Sequence, residues 1–435
     1  MNEKPESFWK RQALSIKAAI VALLVLFLLI PKSMIESLIN ERMYRQQDAV
    51  EEVSAKWAKS QNITGPILTI PYNETLIDKE DKPYTVKHLL HILPEDLKIN
   101  GMVDPQIRYR GIFEVPVYTS EMDLKGQFQL PDLSALGIKP EEILWNEAIV
   151  NVGISDLRGI ANNLQIKWNN TKQDFEPGTS NADNILSGVH ARVPFTNDSS
   201  HTTFEINLSL RGSMGLYFSP VGKSTEVHLQ SSWVNPQFDG EYFPNTREIN
   251  DSGFIADWQV SHLNRNFPQY WTGKRANVQS ADFGVDLFLP ADNYQQSTRS
   301  VKYAILFIGL TFLVFYFVEA INKIQIHPVQ YILIGLALIL FYALLVSISE
   351  QMTFNIAYLI SSIATVLLIG VYTKTIFKSW NIAFLQIGIL TLLYGFIFTI
   401  ISVEQYALLM GSIGLFVILA TSMYFSKKIE WYKSH

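Results

Sequence analysis

Six long apolar stretches interrupt the chain, one near its start and five in its last third. The first covers about residues 13–30. A helix needs about 20 largely apolar residues to cross roughly 30 Å of hydrocarbon, so each stretch predicts a transmembrane helix. The later five run from Tyr303 to Val318, Val329 to Ser349, Phe354 to Thr373, Trp380 to Val403, and Tyr406 to Phe425.

The region between the first and second apolar stretches has two different patterns. Residues 35–59 carry apolar side chains at a roughly helical period, which predicts a juxtamembrane helix. After Gly65-Pro66 the apolar residues alternate, as in Tyr84 to Ile92 and Ser224 to Trp233. Turn residues separate the strands at Asn100-Gly101, Pro177-Gly178, Pro220-Val221-Gly222 and Asp239-Gly240. Many strands without intervening helices indicate a mainly antiparallel β-sandwich-like external domain.

These patterns divide the chain into six predicted segments. They are a cytoplasmic tail (1–12), a transmembrane anchor (13–31), a juxtamembrane helix (32–60), a β-rich periplasmic domain (61–301), a five-helix transmembrane region (302–426) and a cytoplasmic tail (427–435). The first apolar stretch also resembles a signal peptide. However, residues 31–35 offer no cleavage site of small residues, so we favour an uncleaved anchor.

The charge distribution predicts the orientation. Only 17% of the 435 residues are charged, and residues 32–302 hold 34 acids against 25 bases, a difference of −9. Lys and Arg cluster in the N-terminal tail, near Lys323, near Lys374 and Lys378, and in the C-terminal tail. The alternate turns at Glu350 and Glu404 have neither residue type. By the positive-inside rule both termini are cytoplasmic, and the large domain lies outside the cytoplasmic membrane.

Composition and motifs exclude several functions. The acidic external region argues against nucleic-acid binding, and the absence of cysteine excludes disulfides and thiolate metal sites. No nucleophile elbow, zincin motif or P-loop occurs. His88 and His91 lie three apart on a predicted strand, where they point to opposite faces and do not form a joint metal site. We therefore predict no catalytic residue, cofactor or metal.

Two groups of residues remain as candidates. Polar residues in the membrane region are functional hypotheses by default, and the group here is Glu319, His327, Gln330 and Glu350. Glu319 and Glu350 fall at predicted helix ends, where headgroup water can reach them. The second group consists of Trp233, Trp258 and Trp271, within an aromatic-rich stretch. These tryptophans form either part of the core or a face that stacks on sugar rings, with the core interpretation favoured.

Motifs along nearly the whole chain resemble the CreD family of bacterial inner-membrane proteins. They are Gly65-Pro-Ile-Leu-Thr-Ile-Pro71, Arg110-Gly-Ile-Phe-Glu114, Asp156-Leu-Arg-Gly-Ile160, Ser252-Gly-Phe-Ile-Ala-Asp-Trp258, Pro290-Ala-Asp-Asn-Tyr-Gln295, His327-Pro-Val-Gln-Tyr331, Ser347-Ile-Ser-Glu350 and Glu430-Trp-Tyr432. The resemblance implies an N-terminal anchor, a periplasmic domain and a C-terminal helix group. It also implies a role in envelope integrity, colicin tolerance and β-lactam stress. It supplies no catalytic residues, because no activity is established for the family.

Three hypotheses follow. The leading one is a non-enzymatic inner-membrane protein that supports envelope integrity and stress tolerance. Its external domain binds an envelope protein or a cell-wall glycan, and its helices bind the lipid bilayer. The second is a transporter or lipid-handling component that uses the C-terminal helices. The third is a periplasm-facing cell-wall enzyme, which requires a catalytic cluster assembled from distant strands.

Overall fold

The computed structural model describes residues 13–180, 185–196, 201–273, 276–289, 293–322, 324–403 and 406–427. The chain forms two compact units. One combines Met1–Gln46 with Ala291–His435, and the other is Gln47–Pro290. The predicted tail of residues 1–12, together with Lys323, Glu404 and residues 428–435, lies outside the described residues. The predicted segment boundaries stay predictions.

The first unit is helical. Its helices are α1 (Ala13–Phe27), α2 (Leu29–Trp57, which continues into the second unit), α3 (Asn293–Lys302), α4 (Ala304–Asn322), α5 (Pro328–Ser349), α6 (Phe354–Phe377), α7 (Trp380–Ser402) and α8 (Ala407–Ser426). Helices α4 to α8 fall on the five C-terminal apolar stretches. Glycine permits close packing within this unit: a Cβ at Gly335 would collide with Leu28, and one at Gly370 with Ile387.

Five helices in the described part of the chain are long and apolar enough to cross a bilayer. They are Ile16–Trp57, Ala304–Asn322, Pro328–Ser349, Phe354–Phe377 and Trp380–Ser402. A sixth apolar helix, Leu408–Tyr424, is shorter. This segment lies within α8, which has 20 residues. The structure therefore supports five to six apolar helices, and the predicted count of six is not confirmed.

The second unit is built from two β-sheets. Its strands are β1 (Gln61–Ile77), β2 (Pro83–Ile92), β3 (Asp96–Arg110), β4 (Phe113–Gln129), β5 (Ile149–Ile154), β6 (Gln165–Trp168), β7 (Thr171–Asp174), β8 (Glu176–Pro177), β9 (Gly188–Arg192), β10 (His201–Ser213), β11 (Gly215–Ser219), β12 (Ser224–Ser231), β13 (Pro236–Gly240), β14 (Thr246–Asn250), β15 (Gly253–Ser261), β16 (Tyr270–Thr272) and β17 (Phe283–Leu287).

Both sheets are mixed. The nine-stranded sheet has the order β13-β17-β11-β1-β5-β9-β8, with β2 beside β1 and β16 beside β2. The eight-stranded sheet has the order β14-β15-β12-β3-β4-β10-β6-β7. Strand β1 runs parallel to β11, and β12 runs parallel to β3. The structure therefore shows a large mixed β-sheet domain, and the predicted antiparallel sandwich is not confirmed in that form.

One hydrophobic core draws on both sheets. Residues such as Ile67 and Ile70 come from the nine-stranded sheet, and Leu124 and Ile206 come from the other. Strand β10 alternates between buried and less buried positions, as a strand with one core face does. This alternation is the sequence pattern that predicts the strands.

The predicted turn at Asn100-Gly101 is wrong. Asn100 and Gly101 lie inside the continuous strand β3, where Gly101 faces the Leu229 and Met122 side chains with too little room for a Cβ. The chain instead reverses at Gly111, whose φ of 62° suits glycine, and β3 pairs with β4 across that hairpin. The dipeptide Asn-Gly marks a turn only where packing does not require a small strand residue.

Candidate functional site

Glu319 forms the centre of a buried polar cluster in the helical unit. Its side chain is 7% exposed and is ion-paired with Lys17 of α1. The Tyr331 hydroxyl donates to Glu319 Oε2 at 2.9 Å, and the Ile326 amide donates to Oε1 at 2.9 Å. Lys17 also donates to the Ile326 carbonyl at 2.9 Å. A position near a helix end suggests access to headgroup water, but the structure buries this carboxylate against its own partners.

Glu350 forms a second polar cluster at the other end of α5. It lies at the C-terminal cap of that helix, with Arg42 Nε of α2 at 3.5 Å from Oε1. The Tyr294 hydroxyl donates to the same oxygen at 3.1 Å, and Asn293 Nδ2 donates to the Ser349 carbonyl at 2.6 Å. The Glu350 carboxylate therefore contacts side chains of α2 and α3. The Asn293 amide satisfies a backbone carbonyl at the end of α5.

The two glutamates are separated along the bundle. Tyr331, which bonds Glu319, lies 19 positions before Glu350 on the same helix, or about 28 Å at 1.5 Å per residue. Their cationic partners lie 25 positions apart on α1 and α2, or about 38 Å. Each glutamate thus fixes one level of the N-terminal helices, and the two do not form a common site.

His327 and Gln330 cap α5 at the end where Glu319 lies. His327 Nδ1 accepts from the Val329 amide at 3.3 Å, and Gln330 Oε1 accepts from the His327 amide at 3.0 Å. These reciprocal bonds satisfy backbone amides that lack partners within the helix. This capping role accounts for both side chains.

The three candidate tryptophans differ in accessibility. Trp258 is 2% exposed and Trp271 is 7% exposed, and both belong to the core. Trp258 packs its ring edge-on against Phe238, with ring centroids 5.6 Å apart. Trp233 is half-buried against the core, and its Nε1 donates to the Asn235 carbonyl at 3.0 Å. Two of the three rings are therefore enclosed by protein and do not offer a face for stacking.

A groove of about 420 Å³ lies on the eight-stranded sheet. It is lined by Lys98, Ile99, Asn100, Glu226, Val227, His228, Asn245, Thr246, Asp257, Trp258 and Gln259. Alternate residues of β3, β12 and β15 share one face of the sheet, and Asn245 and Thr246 join them at the start of β14. The lining is mostly polar, with both signs of charge and several amides. It therefore suits a ligand that is bound by hydrogen bonds.

A histidine–aspartate pair lies in this groove. His228 and Asp257 face each other across β12 and β15, with His228 Nδ1 at 2.6 Å from Asp257 Oδ1. The Thr246 hydroxyl donates to Asp257 Oδ2 at 2.8 Å. The hydrogen bond from His228 holds the pKa of Asp257 below its usual value. The alternating pattern predicts both strands, but it does not predict this pair because the register between the strands is not encoded locally.

The other histidines of interest lie on β2. His91 is buried, and its Nδ1 lies 3.0 Å from the Thr69 hydroxyl. His88 Nε2 lies 3.0 Å from Glu74 Oε2. The structure confirms that the His88–His91 segment is a strand. In the described residues, no group of three or more His, Asp or Glu side chains is arranged to hold a metal ion.

These features define a multi-pass membrane protein that carries a large mixed β-domain between its first and second apolar helices. The family described as "Inner membrane protein CreD" matches residues 13–432. The chain is also 33% identical over 415 residues to "Inner membrane protein CreD" of Escherichia coli (strain K12), covering 94% of this chain and 91% of the relative. The chain belongs to the CreD family, and it is a multi-pass inner-membrane protein.

Proposed function

We propose that this protein supports envelope integrity and stress tolerance as a non-enzymatic receptor for an envelope component. Both termini are cytoplasmic, and the β-domain is periplasmic. The asymmetry of Lys and Arg between alternate turns supports this orientation. The polar groove beside His228 is the observation that carries the binding role, because its mixed charges and amides suit a hydrogen-bonded ligand.

The arrangement around Asp257 favours binding over catalysis. The Thr246 hydroxyl donates a hydrogen bond to Asp257 and not to His228. The hydrogen bond with His228 lowers the pKa of Asp257, so this carboxylate is a weak base for activating the hydroxyl as a nucleophile. His228 and Asp257 are both more than two-fifths exposed, and thus no enclosed site excludes water from them.

Site-specific photo-crosslinking in living cells tests the binding role. A photoreactive side chain replaces Gln259, which is exposed in the groove, and a matched one replaces Lys172, which is exposed on β7. We expect a discrete envelope adduct from position 259 and none from position 172. Adding His228→Ala should reduce the adduct severalfold. Equal adducts at both positions, or none at position 259, would remove the groove from the proposal.

The orientation has an independent test, helped by the absence of cysteine from the chain. Single cysteines are introduced at Lys172 in the β-domain and at Lys378 after α6. In intact cells whose outer membrane is permeabilised, an impermeant thiol reagent should label the first and spare the second. The opposite labelling would show that the proposed orientation is wrong, and it would not bear on the binding role of the groove.

A periplasm-facing enzyme is the second candidate, and the His228–Asp257 pair is the observation that favours it. A histidine oriented by a carboxylate can act as a general base toward water. Full-length protein in detergent, incubated with purified peptidoglycan, should release no fragments if the binding proposal holds. Release that is lost in both His228→Ala and Asp257→Asn would establish the enzyme instead.

A further inference from the structure

Neutral polar side chains line the interior of the helical bundle, and many lack partners. Each of the following is less than a tenth exposed and has an atom with no hydrogen-bond partner among the described residues: Ser297, Ser300, Thr311, Tyr342, Ser361 and Gln386. They come from the five consecutive helices α3 to α7. A buried polar atom without a partner is costly, and no solvent in the hydrocarbon region replaces it.

Tyr342 marks the middle of this set. Its side chain is 1% exposed and lies on α5 between the levels of Tyr331 and Glu350. The rings of Phe341 and Tyr394 are 4.7 Å apart, and Tyr342 lies close to Tyr394 and Tyr358. The Tyr358 hydroxyl donates to the Tyr394 carbonyl at 2.9 Å. Three tyrosines from three helices therefore meet in one interior layer.

The other members extend from this layer towards both ends of the bundle. Ser361 lies one turn after Tyr358 on α6, and Gln386 lies two turns before Tyr394 on α7, about 12 Å along the axis. Thr311 lies one turn after Phe307, whose ring is 4.5 Å from that of Tyr394. Ser361, Gln386 and Thr311 all lie on the Glu319 side of the tyrosine layer.

Ser297 and Ser300 continue the stripe in the opposite direction. Ser297 lies one turn after Tyr294 on α3, and Tyr294 bonds Glu350. The polar groups thus occur at successive levels over most of the bundle. We call Ser297, Ser300, Thr311, Tyr342, Ser361 and Gln386 the interior stripe.

The chemistry of the interior stripe selects its ligand. Every member is a hydroxyl or an amide, so the stripe offers donors and acceptors without charge. The charged groups Lys17, Glu319, Arg42 and Glu350 are paired elsewhere. Water makes two to four bonds with such uncharged groups and commonly completes them in protein interiors.

We propose that the helical bundle binds a file of ordered water molecules along the interior stripe. The water bonds the Tyr342 hydroxyl and its neighbours, and it exchanges with bulk solvent. The β-domain plays no part in this inference, which therefore stands or falls separately from the envelope-binding role.

Radiolytic hydroxyl-radical labelling of the full-length protein in lipid nanodiscs tests the proposal, with ¹⁸O water supplied shortly before irradiation. Radicals formed from bound water attack adjacent rings, so Tyr342 should acquire ¹⁸O. Tyr118 is the control, because it is fully buried and its hydroxyl donates to the Gly215 carbonyl at 2.8 Å. We expect labelling of Tyr342 at least tenfold faster than labelling of Tyr118. Equal, slow labelling of both would overturn the proposal.

A variant examines whether the water is shared between the tyrosines. Tyr342→Phe removes one hydroxyl from the interior layer, so labelling of Tyr394 should fall by threefold or more. Tyr118→Phe, made in the β-domain core, should leave labelling of Tyr394 unchanged. Unchanged labelling of Tyr394 in Tyr342→Phe would contradict a continuous file.

Discussion

The first two helices are anchored by different chemistry in the two units of the protein. In the helical unit, Lys17 and Arg42 form ion pairs with Glu319 and Glu350. In the β-domain unit, the end of α2 is held by an aromatic side chain and by bonds to backbone groups. The same segment is thus attached by partly buried ion pairs in one unit. In the other unit it is attached by arginine contacts with an aromatic ring, by bonds to backbone groups and by the exposed Glu52–Arg110 pair.

The β-domain attachment is centred on Trp57. The guanidinium groups of Arg108 and Arg211 each lie 5.2 Å from its ring centroid, and its Nε1 donates to the Tyr118 carbonyl at 3.2 Å. Ser213 donates to the Ala58 carbonyl at 2.8 Å, just after the helix. Water weakens an isolated charge pair, whereas a low dielectric strengthens it. The difference teaches that each attachment uses the interaction that its surroundings favour.

The largest expected effect comes from breaking the buried ion pair. Glu319→Gln leaves Lys17 charged without a counter-charge, so we expect a loss of about 3 kcal/mol in the free energy of unfolding. Unfolding of the full chain in mixed micelles, followed by circular dichroism, measures this loss. Glu36→Gln is the control, because it breaks a more exposed pair with Lys32 and should cost at most about 0.5 kcal/mol.

A double variant distinguishes the loss of the ion pair from the cost of leaving one charge unpaired. Lys17→Met with Glu319→Met replaces both charges by apolar groups and should recover most of the stability that the single variant loses. A double variant as unstable as Glu319→Gln would show that these residues act through something other than their mutual attraction.

Trp57→Ala should have the next largest effect, on the other attachment. It removes two cation–π contacts and one hydrogen bond, so we expect a loss of about 2 kcal/mol in the stability of the α2 terminus. Hydrogen exchange of the amides of residues 50–57 in the full chain measures it. Trp57→Phe keeps an aromatic face and should lose only about half as much. Unchanged protection in Trp57→Ala would contradict the central role of this ring.

Asp156 tests how the attachment of α2 to the β-domain depends on pH. The Arg158 guanidinium and the amides of Lys59 and Arg158 hold the pKa of Asp156 at about 2. Its stabilising contribution is therefore present above pH 4, the ordinary range of an aspartate, and is lost as pH falls towards 2. Asp156→Asn should cost about 1.5 kcal/mol at pH 7, after allowance for solvent screening, and much less near pH 2. Protection of the amides near Lys59 reports the difference, and a loss that does not depend on pH would contradict this linkage.

Sequence patterns predict the elements of this protein better than its contacts. Apolar length locates α4 to α8 to within a few residues, and alternation locates most of the long strands. Pairing is different: the parallel contact of Gln61 with Leu216 joins residues 155 positions apart. Nothing in either segment specifies this partner, because the register depends on the packing of both sheets.

The candidate site residues show the same limit. The position of Glu319 in the sequence indicates a helix end and access to water, whereas its partner Lys17 lies 302 positions away. The pairing of His228 with Asp257 likewise depends on the register between β12 and β15. In contrast, the caps formed by His327 and Gln330 are local. The spacing of these two residues at the start of α5 is sufficient to predict them.

The smallest expected effect tests a buried carboxylate for which the described residues show no cationic partner. Asp282 accepts hydrogen bonds from Ser219 and Asn62 in the β-domain, and burial raises its pKa to about 6. Because the pKa is raised, the favourable contribution is present below pH 4 and is lost as pH rises through 6. Asp282→Asn should therefore match the natural protein near pH 4. At pH 7 the rise of the pKa from 3.8 to about 6 sets an upper limit of about 3 kcal/mol on the gain. After allowance for partial exposure to solvent, the variant should be more stable by about 1 kcal/mol, with urea unfolding of the full chain as the measurement. A loss of stability at pH 7 would show that the two neutral donors favour the charged form. In that case a buried carboxylate in the β-domain, unlike Glu319, would need no cation.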